Sequence, residues 1–338
     1  MFVNLSKMIF FCCLILGTLM ALSSNSWLGA WMGLEINLLS FIPLMSNLKN
    51  ILSNESALKY FLVQALASSI LLFSVIFSFI NSSYVQLNIE FFNQLMINST
   101  LLLKMGAAPF HFWFPSVMEN LNWINCLILM SWQKLAPLML ISYCLNSIFV
   151  YFITMMSLIV GAIGGFNQLN LRSLMAYSSI SHLGWMLISM IYSETLWISY
   201  YLFYVLLSSI MVLFLSNYSL FHMNQIYSMN FNPYMKFLML TNMLSLGGLP
   251  PFLGFLPKLL VINLLVKFKM YFMIFFMVML TLITLFYYMR VTYTAFMLMY
   301  PSLKWLSNNF NKSVTFHIYL NMISILGFPL ITLIYSFL

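Results

Sequence analysis

Eleven apolar runs, most of them about twenty residues long, follow one another along the chain with only short polar segments between them. A bilayer core about 30 Å thick requires about 20 apolar residues per helix, so each run is suited to cross a membrane once. The runs cover approximately residues 3–22, 26–46, 57–80, 93–117, 122–143, 148–166, 172–191, 196–217, 236–265, 271–297 and 315–337. The sequence therefore predicts an all-α, polytopic membrane protein with about 11 transmembrane helices.

The charge content excludes several other classes of protein. Charged residues make up about a quarter of an ordinary globular domain, whereas here they are 5% of 338 residues. A soluble enzyme, a disordered linker and a nucleic-acid binder are excluded, although the formal net charge is +8. The four cysteines, Cys12, Cys13, Cys126 and Cys144, lack C-x-x-C spacing and lie in apolar runs, so they indicate neither a zinc site nor a disulfide framework.

The N-terminal run, which contains Lys7, has some features of a signal peptide. Similar runs continue to the end of the sequence, which favours a first membrane span instead.

The basic residues are distributed unequally between the two sides of this predicted topology. Lys and Arg in short loops accumulate on the side that is not translocated. The side of the N-terminus receives Lys7, Lys49, Lys59, Arg172, Lys236, Arg290, Lys304 and Lys312, whereas only Lys267 and Lys269 fall on the other side. We therefore expect the N-terminus to face the cytoplasm or an equivalent compartment and the C-terminus to lie across the membrane.

The fourth and ninth runs share a pattern of glycine and proline. A shift of 142 residues places Gly106 on Gly248, Pro109 on Pro251, Phe110 on Phe252 and Pro115 on Pro257. Because proline lacks a backbone donor and clashes with the preceding turn, both helices should be broken. The predicted break residues are Gly106, Pro109, Gly248, Pro250 and Pro251. Two unrelated proline kinks are the alternative explanation.

The two broken runs are five runs apart, so the two halves of the chain would have opposite orientations, as in inverted-repeat transporters. The predicted organisation is a single antiporter-like transmembrane domain over 1–338. Its first repeat covers about 1–145 and its second about 146–297, and an extra C-terminal helix covers about 315–337.

Four of the charged residues in the apolar runs are candidates for a position within the membrane, namely Glu35, Lys104, Lys134 and Lys258. Each buried charge costs about 2.5–3.5 kcal/mol on insertion scales, a penalty that a purely structural protein could avoid. Snorkelling to a headgroup or a static ion pair is the alternative. Burial and a neighbouring carboxylate act in opposite directions on the charge of a lysine, so movement of Glu35 relative to Lys104 would switch proton release and uptake.

Residues that could relay such a proton occur in the seventh run and beside the first break. The stretch A-Y-S-S-I-S-H-L-G supplies Tyr177, Ser178, Ser181 and His182, and His111 follows Pro109. Histidine titrates near neutral pH, which suits a relay. A packing surface of small residues is an equally good interpretation of the stretch in the seventh run.

At these residues the chain resembles the chain 2 family of NADH:ubiquinone oxidoreductase, respiratory complex I, in its shortened animal mitochondrial form. The resemblance is carried by four stretches that span most of the chain: S-N-S-W-L-G-A-W-M-G-L-E-I-N, L-L-L-K-M-G-A-A-P-F-H-F-W-F-P, W-Q-K-L-A-P and S-L-G-G-L-P-P-F-L-G-F-L-P-K. It implies an antiporter-like, proton-translocating subunit of the membrane arm, in which Glu35, Lys104, Lys134 and Lys258 match the charged residues of longer relatives.

The resemblance also implies a location, partners and cofactors. The chain would lie in the mitochondrial inner membrane beside chain 4, chain 4L and lipid, with its N-terminus in the matrix and its C-terminus in the intermembrane space. FMN, iron-sulfur clusters and ubiquinone would belong to other subunits, and this chain would bind no redox cofactor, metal or nucleic acid. Lys104 shifted by 142 residues falls on Leu246, so the two halves would be functionally unequal.

Two other functions compete with this interpretation. A free-standing cation/proton antiporter would share the broken helices and buried lysines, but it would not co-purify with flavin and iron-sulfur proteins. A structural scaffold would retain pumping after Lys104→Ala and Lys134→Ala. A receptor or odorant channel has no evident use for four charges within the membrane.

Overall fold

The computed structural model describes residues 5–47, 50–81, 87–228 and 233–297, together with residues 321, 322, 324, 325 and 327. Within these residues the chain forms fourteen α-helices and no strand, apart from an isolated bridge between Asn170 and His222. Eight helical segments are long and apolar enough to span a membrane. The prediction of an all-helical, polytopic membrane protein is therefore confirmed.

The helices fall into two compact units, Met1–Ser157 and Leu158–Leu338. The first unit contains α1 (Leu5–Ser23), α2 (Trp27–Met45), α3 (Ile51–Asn81), α4 (Leu87–Met105), α5 (Trp113–Met118), α6 (Trp123–Met130) and α7 (Trp132–Tyr143). Helix α8 (Ser147–Gly165) contributes to both units. The second unit continues with α9 (Leu171–Tyr192), α10 (Glu194–Asn217), α11 (Met223–Ser228), α12 (Pro233–Gly247), α13 (Phe255–Lys267) and α14 (Tyr271–Met297).

The fifth apolar run, predicted as one helix, is divided between α6 and α7 at Ser131. The hydroxyl of Ser131 donates a hydrogen bond to the carbonyl of Leu127 at 2.6 Å. Such back-bonding competes with the regular helical pattern and bends helices. The predicted C-terminal helix at 315–337 lies largely outside the described residues, as do Lys49, Lys304 and Lys312.

The interruption between α4 and α5 begins with a helix cap centred on Gly106. Gly106 has φ of +75°, a conformation that glycine adopts without steric cost. Its N–H donates to the carbonyl of Leu103, and the N–H of Ala107 donates to the carbonyl of Leu102, both at 3.1 Å. This pair of bonds is a Schellman motif, which satisfies carbonyls that the helix end would otherwise leave without a partner.

The interruption between α12 and α13 begins in the same way at Gly248, whose φ is +81°. The N–H of Gly248 donates to Ser245 at 3.0 Å, and the N–H of Leu249 donates to Leu244 at 3.4 Å. The two interruptions are of equal length, since α4 and α5 are separated by residues 106–112 and α12 and α13 by residues 248–254.

Helices α1 and α2 approach each other at the level of the main chain. A Cβ atom built on Gly33 would lie 2.5 Å from the nitrogen of Ala21, and one on Gly17 would lie 2.8 Å from the nitrogen of Asn37. Small residues permit this close approach, which is typical of helix pairs within membranes. This packing holds α2, the helix that carries Glu35, closely against α1.

We expect Gly33→Ala to destabilise the first unit by about 1–3 kcal/mol, because the new methyl group would overlap the backbone of α1. The yield and thermal stability of the assembled protein in membranes would measure the effect. Gly29→Ala is the matched control on the same helix, since its Cβ would meet mainly the side chains of Ser24 and Ser26. Equal stability of the two variants would contradict the proposed packing constraint.

Candidate functional site

Lys104 lies in the last turn of α4, just before the cap at Gly106, and only 7% of its surface is exposed. The carboxylate of Glu35, from α2, interacts with it electrostatically. Within the described part of the chain, neither Lys104 Nζ nor Glu35 Oε2 has a hydrogen-bond partner. The structure thus places a buried lysine within electrostatic range of a carboxylate, with no hydrogen bond at Lys104 Nζ or at Glu35 Oε2.

Polar side chains from α2, α3 and α7 form a hydrogen-bonded cluster near Lys104. Gln133 Nε2 donates to Asn37 Oδ1 at 2.8 Å, and the hydroxyl of Tyr60 donates to Gln133 Oε1 at 3.4 Å. A small cavity, about large enough for one water molecule, borders these residues and Lys104. Hydroxyl, amide and lysine side chains therefore share the lining of this cavity with apolar residues.

The main chain at the first break is satisfied by side chains. Gln64 Nε2 donates to the carbonyl of Lys104 at 3.1 Å, and the indole of Trp113 donates to the carbonyl of Leu103 at 3.1 Å. His111 Nδ1 lies 3.2 Å from the carbonyl oxygen of Pro109, and its ring packs on Phe112. The bond to Pro109 gives His111 a local structural role at the break.

Lys134, on α7, is 1% exposed. Its Nζ lies 4.9 Å from the centre of the Phe114 ring, a cation–π arrangement. Phe114 belongs to α5, which directly follows the first break. Lys104 therefore comes before the break along the chain and Lys134 after it. Lys104 belongs to α4, which ends at the break, and Lys134 contacts α5, which begins after it.

The second unit contains a buried cluster of histidine and tyrosine. His182 Nδ1 lies 2.9 Å from the hydroxyl of Tyr200, and the His182 ring packs on the ring of Tyr204 at 5.1 Å. The hydroxyl of Tyr204 lies beside Ser179, and that of Tyr288 beside Ser178. The tyrosines of α10 and α14 thus place their hydroxyl groups against the histidine and serines of α9.

The serines of this face also bond within their own helix. Ser178 Oγ donates to Met175 at 2.8 Å, and Ser181 Oγ donates to Ser178 at 2.7 Å. Tyr177 packs against Gly164, where a Cβ atom would lie 2.4 Å from the tyrosine ring. Ser178 therefore takes part in two hydrogen bonds within α9, and Tyr177 packs closely on α8.

Lys258, on α13, is 6% exposed. Its Nζ donates a hydrogen bond of 2.8 Å to the carbonyl oxygen of Gly247, the last residue of α12. The C-terminal end of a helix carries partial negative charge and attracts cations. Lys258 thus connects the two halves of the interrupted helix.

Several polar residues of these clusters were absent from the sequence-based set: Asn37, Tyr60, Gln64, Gln133, Tyr200, Tyr204 and Tyr288. Asn37, Gln64 and Gln133 are amides within apolar runs, a signal that could have identified them. The tyrosines carry no such signal, because the chain has 19 of them. Among the described residues, no group of three or more His, Cys, Asp or Glu side chains is arranged to bind a metal ion.

Comparison with known proteins relates this arrangement to a family. Residues 24–284 match the family described as NADH:quinone oxidoreductase/Mrp antiporter, TM. NADH-ubiquinone oxidoreductase chain 2 of Aedes aegypti is 58% identical, over 98% of this chain and 98% of the relative. The corresponding protein of Locusta migratoria is 48% identical, over 97% of this chain and 96% of the relative.

Solved structures agree on the fold. A chain of respiratory complex I from Thermus thermophilus with bound aureothin superimposes with a TM-score of 0.82 at 22% identity. The superposition covers 96% of this chain and 79% of the other. The chain therefore belongs to the NADH:quinone oxidoreductase/Mrp antiporter transmembrane family.

Proposed function

We propose that the chain is the proton-translocating membrane-arm subunit of respiratory complex I and that Glu35, Lys104, Lys134 and Lys258 form its proton path. Relatives named NADH-ubiquinone oxidoreductase chain 2 match it over almost its whole length. The observation that carries the site assignment is Lys104, a buried ammonium group with no hydrogen-bond partner in the described residues beside the carboxylate of Glu35. A merely structural lysine would be expected to bind an acceptor.

The proposed architecture has eleven transmembrane helices in two inverted repeats of five, followed by the C-terminal helix. Three observations support it. The two interruptions have matching caps and equal lengths. Helices α1 and α8, Leu5–Ser23 and Ser147–Gly165, are separated by the same 142 residues as Gly106 and Gly248. An odd number of spans per repeat reverses the orientation of the second repeat in the membrane.

In the first repeat, Glu35 controls the proton on Lys104. The carboxylate attracts the ammonium group, and a small displacement of α2 changes that attraction because the pair is not fixed by a hydrogen bond. A proton released from Lys104 can enter the polar space formed by Gln133, Asn37 and Tyr60, all of which donate or accept hydrogen bonds. Lys134 is the next carrier.

In the second repeat, His182, Ser178 and the neighbouring tyrosine hydroxyls form the relay, and Lys258 is the final carrier. His182 and Tyr200 are within hydrogen-bond distance, so a proton can pass between them by exchange of donor and acceptor roles. Moving one proton against a membrane potential costs about 2.3 kcal/mol per 100 mV, which electron transfer in the rest of the complex must supply.

The proposed setting is the mitochondrial inner membrane, with chain 4, chain 4L and lipid as neighbours. FMN, iron-sulfur clusters and ubiquinone are assigned to other subunits, and none to this chain. The N-terminus is assigned to the matrix and the C-terminus to the intermembrane space. Arg172 packs on Phe221 and Arg290 donates to Phe166 at 2.7 Å, so both arginines contact loop residues.

We expect Lys104→Ala to abolish or strongly reduce proton pumping in an assembled complex, because the variant removes the carrier next to Glu35. Assembly should persist, since Lys104 Nζ has no hydrogen bond in the described structure to lose. Proton pumping and NADH:quinone activity, measured together in membranes, would provide the test. Lys59→Ala, at an exposed lysine of α3, is the control for loss of one positive charge. Unchanged pumping per electron in Lys104→Ala would reject the site.

Glu35→Gln should also reduce pumping several-fold, because the amide keeps the shape of the side chain but no longer attracts the ammonium group. Glu55, exposed on α3, provides the matched control Glu55→Gln. The same measurement of protons per NADH applies to both variants. If the two substitutions had equal effects, Glu35 would have no special role in controlling Lys104.

Tyr200→Phe tests the relay of the second repeat. It removes only the hydroxyl that lies 2.9 Å from His182 Nδ1 and should slow coupled proton pumping several-fold. Tyr218→Phe, at the C-terminal cap of the same helix, provides a control in which the ring stays packed on Phe214. Normal pumping in Tyr200→Phe would exclude the His182–Tyr200 pair from the path.

A further inference from the structure

The carbonyl groups at the end of α12 are satisfied in two different ways. The Schellman motif at Gly248 and Leu249 binds the carbonyls of Ser245 and Leu244. Gly247 is the last residue of α12, so no later turn of the helix supplies a donor for its carbonyl. Lys258 supplies that donor from α13, across the interruption, at 2.8 Å.

Gly248 determines whether Lys258 can reach this carbonyl. A Cβ atom built on Gly248 would lie 2.9 Å from Lys258 Nζ and 3.1 Å from both Cδ and Cε. The lysine side chain therefore lies directly across the face of Gly248 that bears no side chain. A methyl group there would be too close to the last three atoms of the lysine, which would have to shift away from it.

The equivalent glycine of the first break has a different neighbour. A Cβ atom on Gly106 would meet the side chain of Phe114, with its nearest atom at 3.0 Å. Backbone conformation explains a glycine at both positions, since both have positive φ. Contact with a lysine is an additional constraint that applies at Gly248 and not at Gly106.

We propose that Gly248 is a positioning residue for proton translocation: because it lacks a side chain, Lys258 lies across the helix break and holds its ammonium group against the Gly247 carbonyl. This inference deepens the proposed function and rests on it, since it matters to pumping only if Lys258 carries protons. The bond places the charge at the negative end of α12, so loading and unloading of Lys258 acts on the junction between α12 and α13.

Lys258→Gln separates proton carrying from capping. Glutamine keeps an N–H donor on a side chain one atom shorter than that of lysine, but it cannot carry a proton at neutral pH. Loss of pumping in an assembled Lys258→Gln complex supports Lys258 as a carrier. Normal pumping in this variant would overturn the role of Lys258 in the proposed function and leave the lysine as a helix cap.

Gly248→Ala and Gly248→Asn test the positioning role in the complete complex. Both add a Cβ atom against Lys258, but asparagine tolerates the left-handed conformation better than alanine does. We expect both variants to lose pumping several-fold and to a similar extent. The alkaline limb of the pH dependence of pumping should move to lower pH, because the ammonium group loses its acceptor. Rescue by asparagine, or a normal pH profile in both variants, would overturn the inference.

A double variant covers the case in which Gly248→Ala does not assemble. If the added methyl group fails because it collides with the lysine, then Gly248→Ala combined with Lys258→Ala should restore assembly, since the methyl group then fills vacated space. If backbone strain alone is responsible, the double variant should fail as the single variant does, and that result would reject the positioning role. The proposed function is judged separately, from Lys258→Gln.

Discussion

A helix that stops inside a membrane must find partners for its last carbonyl groups, because the hydrocarbon core contains no water to bind them. The architecture of both units depends on how this requirement is met. At each break a glycine with positive φ closes a Schellman motif, and side chains satisfy a further carbonyl. An amide from α3 binds the carbonyl of Lys104 in the first unit, whereas the ammonium group of Lys258 binds that of Gly247 in the second. Lys258 is therefore part of this structural solution, and Lys104 supplies one of the carbonyls that it satisfies.

The sequence was sufficient for the class and for eight of the predicted spans, because apolar length is a strong signal in membrane proteins. Predicted runs such as 148–166 and 271–297 agree closely with α8 and α14. The division at Ser131 was not predicted, because a serine inside a helix is compatible with either a straight or an interrupted helix. Only its backbone conformation, with φ of −105° and ψ of −79°, shows which occurs. The pattern of glycine and proline was informative because it occurs twice, once from Gly106 and once from Gly248.

Residues of the candidate site could be predicted where a charged side chain lies in an apolar run, because burying that charge costs free energy. Lys104, Lys134 and Lys258 were noticeable because a charge within an apolar run requires an explanation, and all three are buried. Tyr200 and Tyr204 could not be selected, since their importance depends on which helices meet His182 and not on local composition. The electrostatic contact between Glu35 and Lys104 was anticipated as a condition of the mechanism, whereas the network of Gln133, Asn37 and Tyr60 was not.

The close crossing of α1 and α2 has a mechanical consequence. Because the two main chains touch at Gly17 and Gly33, we expect the helices to slide or tilt together. Any displacement of α2 that changes the distance from Glu35 to Lys104 must therefore carry α1 with it. Cys12 lies on an exposed part of α1. A spectroscopic label attached there would report movement of the helix pair without altering any residue of the proposed proton path.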